Sequence, residues 1–234
     1  MGEYEKQRQS LPWGTIVPAA LFSFVLMGVA LSFSGYEIGS VKHWFSADDA
    51  GKNAVFFDLS RSSLMGRPDA PVTVVSFSDF QCPLCAIFHF GAEQAIMDTF
   101  VKKGLVRFVF KHYPSLGDES FVAAYASECA KEQGKFWEYQ DFLFDRQSQS
   151  ILENSGIFSS ANLMSAAEQV GLQKSMFEQC LSSERYKENV MRDLEEGKNA
   201  GVQGTPTVFV NGEKIEGSLP FETYKTIIEK NLKK

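Results

Sequence analysis

The run Cys82-Pro83-Leu84-Cys85 constrains this chain more than any other stretch. It follows directly on residues 72–80 (VTVVSFSDF), a β-branched and aromatic run with the character of a buried strand. Beyond it, Ile87, Phe88, Ala92, Ala95, Ile96 and Phe100 recur at helical spacing until Gly104 supplies a stop. The two cysteines therefore stand at the mouth of a helix. With Pro83 at the first helical position, the Cys82 sulfur faces unpaired backbone N–H groups and the positive end of the helix dipole, which favours a thiolate. Cys82 is expected to have a lowered pKa and to react first. Cys85 lies on the same side of the first turn and is expected to be the resolving thiol. A mixed disulfide at Cys82 must be attacked from within before it is trapped, and the spacing permits that attack.

The rest of the chain supplies a frame for this unit. Residues 106–113 (VRFVFKHY) alternate as a strand does, and Pro114 closes them. Residues 120–201 hold no strand signal, and amphipathic periods at 121–133, 136–144, 161–170, 175–181 and 186–200 predict helices. Thr207 to Val210, Asn211-Gly212 and Glu213 to Glu216 form a hairpin pattern, because Asn-Gly suits a type I′ turn. A helix at 220–232 ends the chain. Strand, helix, strand, helical block, hairpin and helix together predict an α/β domain over 70–234 with an all-helical insertion at about 118–200. The insertion is expected over one end of the sheet.

Residues 16–33 (IVPAALFSFVLMGVALSF) carry no charge and approach the ~20 residues a helix needs to cross a bilayer. Lys6 and Arg8 precede them, and Trp13 and Tyr36 bracket them at interface-like positions. Residues 1–36 are read as a cytoplasmic stub and membrane anchor, with the remainder outside the cytoplasm. A signal peptide cleaved near Ser32-Phe33-Ser34 is the alternative, and it also exports the rest. A buried core helix fits poorly, since the stretch is apolar all round. Residues 37–69 read as a stalk and lead-in strand, with a polar stretch at 46–53 before Val55-Phe56-Phe57. A 44% hydrophobic content excludes disorder, and 23 Lys+Arg against 29 Asp+Glu, without a basic cluster, exclude a nucleic-acid partner.

The runs FSDFQCPLC, KHYP, EQGKFWEYQDFLF and GVQGTPTVFVNGEKIEG resemble the DsbA-type family of thioredoxin-fold proteins, over most of residue 72 to the C-terminus. The resemblance implies a thioredoxin-like fold and a thiol–disulfide oxidoreductase that needs no organic or metal cofactor. It implies a cis bond before Pro206, packed against the dithiol, and a Thr205 backbone that receives a thiol substrate by strand addition. It also implies a quinone-linked membrane partner, DsbB- or VKOR-like, that reoxidises the dithiol. Two departures stand out. Ser76 occupies the position, six before the first cysteine, where the family often has a buried acid, which leaves Asp79 the nearest acid upstream. Leu84 stands where the most oxidising members have histidine, so a potential below the ~−120 mV extreme is expected.

Cys129 and Cys180 are isolated and fall on predicted helices. Export, together with the resemblance, favours a structural disulfide between them over two separate buried thiols. A zinc site built on the dithiol fits poorly, because no second close pair of cysteines exists. Of the histidines, His89 is one turn past Cys85, near the redox pair or, the commoner outcome, on the helix surface, and is left unassigned, while His112 reads as a structural strand residue. Phe136, Trp137, Tyr139, Phe142 and Phe144 read as packing. The leading expectation is an oxidase that places disulfides in exported proteins with free cysteines. The alternatives are a reductase or isomerase kept reduced by a membrane donor, and a non-enzymatic module holding a partner protein or a soft metal through Cys82, Cys85 and His89.

Overall fold

The computed structural model describes residues 55–150 and 152–234. The apolar segment 16–33, its flanks and the polar stretch 46–53 lie outside them. No helix among the described residues is long and apolar enough to cross a membrane.

A five-stranded sheet in the order β1-β3-β2-β4-β5 organises the domain. Its strands are β1 (Ser63–Met65), β2 (Val72–Ser78), β3 (Val106–His112), β4 (Thr207–Val210) and β5 (Glu213–Glu216). Only β2 and β3 pair in parallel, and a parallel pair demands a crossover. That crossover is one helical rod: α1 (Pro83–Phe88), a π turn (His89–Glu93), α2 (Gln94–Ile96) and a second π turn (Met97–Val101). Gly104 stops it at φ +71°, where a side chain would be strained. The lead-in strand is Ser63–Met65 rather than the more apolar Val55-Phe56-Phe57. The Phe57 ring instead packs edge-on against Phe77 and Phe209, so burial and not pairing uses that stretch.

Between β3 and β4 the chain is helical: α3 (Asp118–Glu132), α4 (Phe136–Ser148), α5 (Ser160–Gln169), α6 (Lys174–Ser182) and α7 (Lys187–Asn199). The closing helix is α8 (Phe221–Leu232). The hairpin turn has φ 47° at Asn211 and 86° at Gly212, the two left-handed residues a type I′ turn requires.

Strand periodicity splits β2 between two cores. Val72 and Val74 join Phe88, Ile96, Phe108, Val208, Tyr224 and Ile228 beneath the rod and α8. Val75 and Phe77 join Val109, Tyr113, Leu194 and Phe209 on the opposite face, under α7. α7 approaches that face closely because Gly197 has no side chain: a Cβ there would lie 2.7 Å from Tyr113. A third cluster, with Phe80, Phe110, Tyr139, Phe144, Phe158 and Phe177, fills the helical block and reaches Cys82 and Cys85. Phe136, Tyr139 and Phe144 are buried in it, and Trp137 and Phe142 pack against its edge. The dithiol thus lies where sheet and inserted helices meet.

Candidate active site

The loop between β2 and α1 is held by one acid and one amide side chain. Asp79 accepts hydrogen bonds from the backbone N–H groups of Gln81 (2.9 Å), Ser115 (2.8 Å) and Leu116 (3.1 Å). Its own carbonyl accepts from the Cys82 N–H at 3.0 Å. Asp79 is a clamp between this loop and the one after β3, and its oxygens are committed to amides. Gln81 is fully buried and donates through Nε2 to the Leu116 carbonyl (3.1 Å) and Ser120 (2.9 Å), while its Oε1 accepts from the Asn154 N–H at 2.6 Å. Sequence reading missed Gln81 and Asn154. The only signal was the position of Gln81 immediately before the cysteine.

These contacts fix Cys82 as the N-cap of α1, with extended φ −81° and ψ 117°, and Pro83 follows at the first helical position. The Cys82 carbonyl accepts from the N–H groups of Cys85 (3.0 Å) and Ala86 (3.2 Å), closing the first turn. Both sulfurs are buried, Cys82 at 6% exposed and Cys85 at 0%. Both are free thiols.

Their surroundings push the two sulfurs apart. Hydrogen bonding from the Cys85 thiol is the largest influence on Cys82; burial opposes it, and the Thr205 side chain and the N–H groups of Cys85 and Leu84 add to it. The result lowers Cys82 from an ordinary thiol value of 9.0 to about 6. Cys85 is pushed up, first by its burial and then by the neighbouring Cys82 sulfur. As a thiol, Cys82 donates to the Thr205 carbonyl at 3.2 Å. On ionisation it loses that bond, and the donors aimed at the sulfur take over. The Thr205–Pro206 bond is cis. β4 pairs with β2 through Phe77↔Thr207, so Thr205 and Pro206 fall at the Cys82 end of the sheet.

Ser76 is buried and shares a hydrogen bond with Ser78 at 3.3 Å, a neutral pair in place of a buried acid. His112 is also buried, 3.2 Å from Glu128, as suits a structural strand residue. His89, left unassigned by the sequence, does not take the commoner helix-surface position. It is buried, its Nδ1 lies 3.0 Å from Glu93 and its Nε2 lies 3.0 Å from Asp141. Helix α4 folds over it, which helical periodicity alone does not reveal. Nδ1 is hydrogen-bonded to Glu93, whereas Nε2 meets Asp141 at ion-pair distance without hydrogen-bond geometry. Cys129 and Cys180, which a zinc site would need, are joined to each other at 2.02 Å and link α3 to α6.

Around the sulfurs the surface is apolar. Leu84, Ile87 and Phe90 are each about half exposed or more. Beside them runs a groove of about 550 Å³ lined by Pro83, Ala86, Ile87, Phe90, Gln147 and Ser148. Another pocket, of about 310 Å³, lies at the far end of β2 between Val55, Phe57 and Arg107, away from the sulfurs.

Three comparisons bear on this site. A family profile described as thioredoxin matches residues 59–230. Among curated proteins, the chain is 30% identical over 202 residues to the probable disulfide bond formation protein D of Bacillus cereus, a match covering 84% of this chain and 91% of that one. It is 33% identical over 173 residues to a Na(+)/H(+) antiporter of Salinispora tropica, of which the match covers 25%. Among solved structures, oxidised BdbD from Bacillus subtilis superposes with a TM-score of 0.70 at 29% identity, over 76% of this chain and 96% of that one.

Proposed function

The chain belongs to the DsbA-type thioredoxin-fold family and is a protein disulfide oxidoreductase, and from that premise we propose that it acts as an oxidase of exported proteins. The observation that carries the direction is the contrast between the two sulfurs, Cys82 lowered to about 6 and Cys85 raised. A stabilised Cys82 thiolate stabilises the reduced enzyme. A pair whose reduced form is favoured gives its disulfide away readily.

In the proposed cycle, a substrate thiolate attacks Cys82 of the Cys82–Cys85 disulfide. A substrate–Cys82 bond forms, and Cys85 leaves and takes up a proton. A second substrate thiolate then attacks the substrate sulfur of that bond, the substrate disulfide forms, and Cys82 departs as a thiolate. Two electrons pass from substrate to enzyme. The low-pKa sulfur at the helix mouth is both the point of attack and the better leaving group. The Thr205 backbone and the cis-bonded Pro206 are proposed to receive the substrate chain, and the apolar rim of Leu84, Ile87 and Phe90 suits an unfolded one.

Residues 1–36 are proposed as the anchor, 37–69 as a stalk that ends in the entry strand β1 of the sheet, and 70–234 as the rest of the exported catalytic domain. The Cys129–Cys180 bond supports an oxidising compartment. Reoxidation is assigned to a quinone-linked membrane protein of the DsbB or VKOR kind, which an anchored enzyme would meet in the plane of the membrane.

Equilibration of the dithiol with glutathione tests the direction. An oxidase requires a potential above about −230 mV, and one below about −250 mV would overturn it. Trapping with Cys85→Ala in cells is expected to hold several exported proteins as mixed disulfides on Cys82; capture of a metal-site protein alone contradicts the reading.

A further inference from the structure

The rod that carries the dithiol holds a buried ion pair one turn below it. His89 is 1% exposed, its backbone N–H donates to the carbonyls of Cys85 and Ala86, and it opens the π turn. Its ring packs on Phe144 with centroids 4.8 Å apart. Glu93, on the next turn, is equally buried and lies 3.0 Å from His89 Nδ1 and 3.0 Å from Gln140 Nε2. Asp141 reaches His89 from α4, but its side chain is 61% exposed. His89 Nε2, one oxygen of Glu93 and that of the Gln140 amide have no hydrogen-bond partner, so Asp141 meets His89 as an ion-pair contact only. Such a cluster is costly to bury, and packing alone would be better served by apolar side chains.

Its orientation gives it a use. Helical side chains lean towards the N-terminus, so the His89 ring and the Glu93 carboxylate both reach back along the rod towards its dithiol end. The backbones of His89 and Glu93 stand about 10 Å and 16 Å of helix rise from Cys82, while the charged atoms of the pair are 3.0 Å apart. A cation on this rod favours a thiolate at Cys82 and an anion disfavours it, and the buried, low-dielectric setting lets both charges act on the sulfur. Burial works against a charged His89, but its contacts with Asp141 and Glu93 outweigh that and raise it to about 9. The cation then persists through neutral pH. Other buried charges are placed differently. The Lys111–Asp193–Glu196 group lies on the far face of the sheet, with Val109, and His112–Glu128 lies between β3 and α3.

We infer that His89 and Glu93 are positioning residues for the thiol chemistry, a fixed charge pair in which His89 favours the Cys82 thiolate, Glu93 opposes it and Asp141 trims the balance from the solvent side. Ser76 leaves no acid on the strand beneath the dithiol, so this pair is the charged tuning element of the redox helix itself. The inference rests on the oxidoreductase reading of Cys82, and the test separates the two.

The test follows thiolate absorbance against pH in the reduced full-length chain, with melting as a check on folding. Glu93→Gln is expected to raise the Cys82 ionisation constant roughly threefold to tenfold, and His89→Gln to lower it by a similar factor. Asp141→Asn, at a side chain 61% exposed, should raise it by less than about threefold. Loss of packing would move His89→Gln and Glu93→Gln in the same direction; opposite directions are the signature of charge. Shifts of one sign overturn the inference, as does an unmoved constant in any folded variant, Asp141→Asn included. If the unsubstituted chain ionises like a free thiol, the oxidoreductase reading fails with it; if it ionises near pH 6 and the variants do not move, only the inference falls.

Discussion

Cys82 and Cys85 differ from Cys129 and Cys180 less in burial than in where they sit on their helices. Cys82 is 6% exposed, and Cys129 and Cys180 are 1% and 2% exposed, a difference too small to separate a reactive pair from an inert one. Cys82 caps the N-terminus of α1, where N–H groups and the positive end of the dipole converge on its sulfur. Cys129 and Cys180 both lie in the last turn of their helices, α3 and α6, at the negative end. There a departing thiolate is disfavoured, so the Cys129–Cys180 bond resists exchange. The bond closes a separation of 51 residues, which restricts the unfolded chain. One chain thus uses the same residue for exchange at one helix end and for cross-linking at the other.

The largest expected effect breaks the exchange pair alone. Cys82→Ser should lower the rate of substrate thiol oxidation by about 10³-fold or more while leaving the chain folded, its reduced form losing only the ~1–2 kcal/mol that the Cys82 thiolate contributes at pH 7. The mirror experiment removes the staple. Cys129→Ala with Cys180→Ala should cost about 2–4 kcal/mol by denaturant titration, with the exchange rate of the folded enzyme retained. A folded staple variant that has lost exchange would break the comparison.

Gly197→Ala sharpens it by separating stability from sulfur chemistry. The added Cβ meets Tyr113 at 2.7 Å and Phe77 at 3.0 Å, so α7 must shift, at a cost of about 1–3 kcal/mol. Exchange by the folded variant should be unaffected, since α7 lies on the sheet face away from the dithiol.

The smallest effect is one of pH. Cys82 is depressed from 9.0 to about 6 in the folded protein, so its ionisation stabilises the reduced form above pH 6, and that contribution is lost as pH falls through 6. The oxidised form has no such group. Reduced protein should therefore be the more stable by about 1–2 kcal/mol at pH 7, with the gap closing towards pH 5. Paired unfolding curves across that range measure it.

Features set by local chemistry were legible in the sequence. The dithiol at the helix mouth, the β-branched run of β2 and the Asn211-Gly212 turn each follow from residues within one turn of one another. Features set by docking were not. β1 is three residues long and gains its pairing from β3, while the more apolar Val55-Phe56-Phe57 forms no ladder. Helical spacing left His89 unassigned, and α4 covers it and supplies Asp141 and Gln140. Asp79 stood out as the nearest acid to the dithiol; its commitment to the amides of Ser115 and Leu116 depends on a loop 36 and 37 residues away. The π turns of the redox rod left no sequence mark for which we have a physical account.

Alkylation of reduced Cys82 as a function of pH tests the central claim most directly, because only the thiolate reacts. The account predicts a rate that reaches half its plateau near pH 6, with Cys85 unreactive throughout. A midpoint near the ~8.5 of a free cysteine, or equal labelling of the two sulfurs, would contradict it.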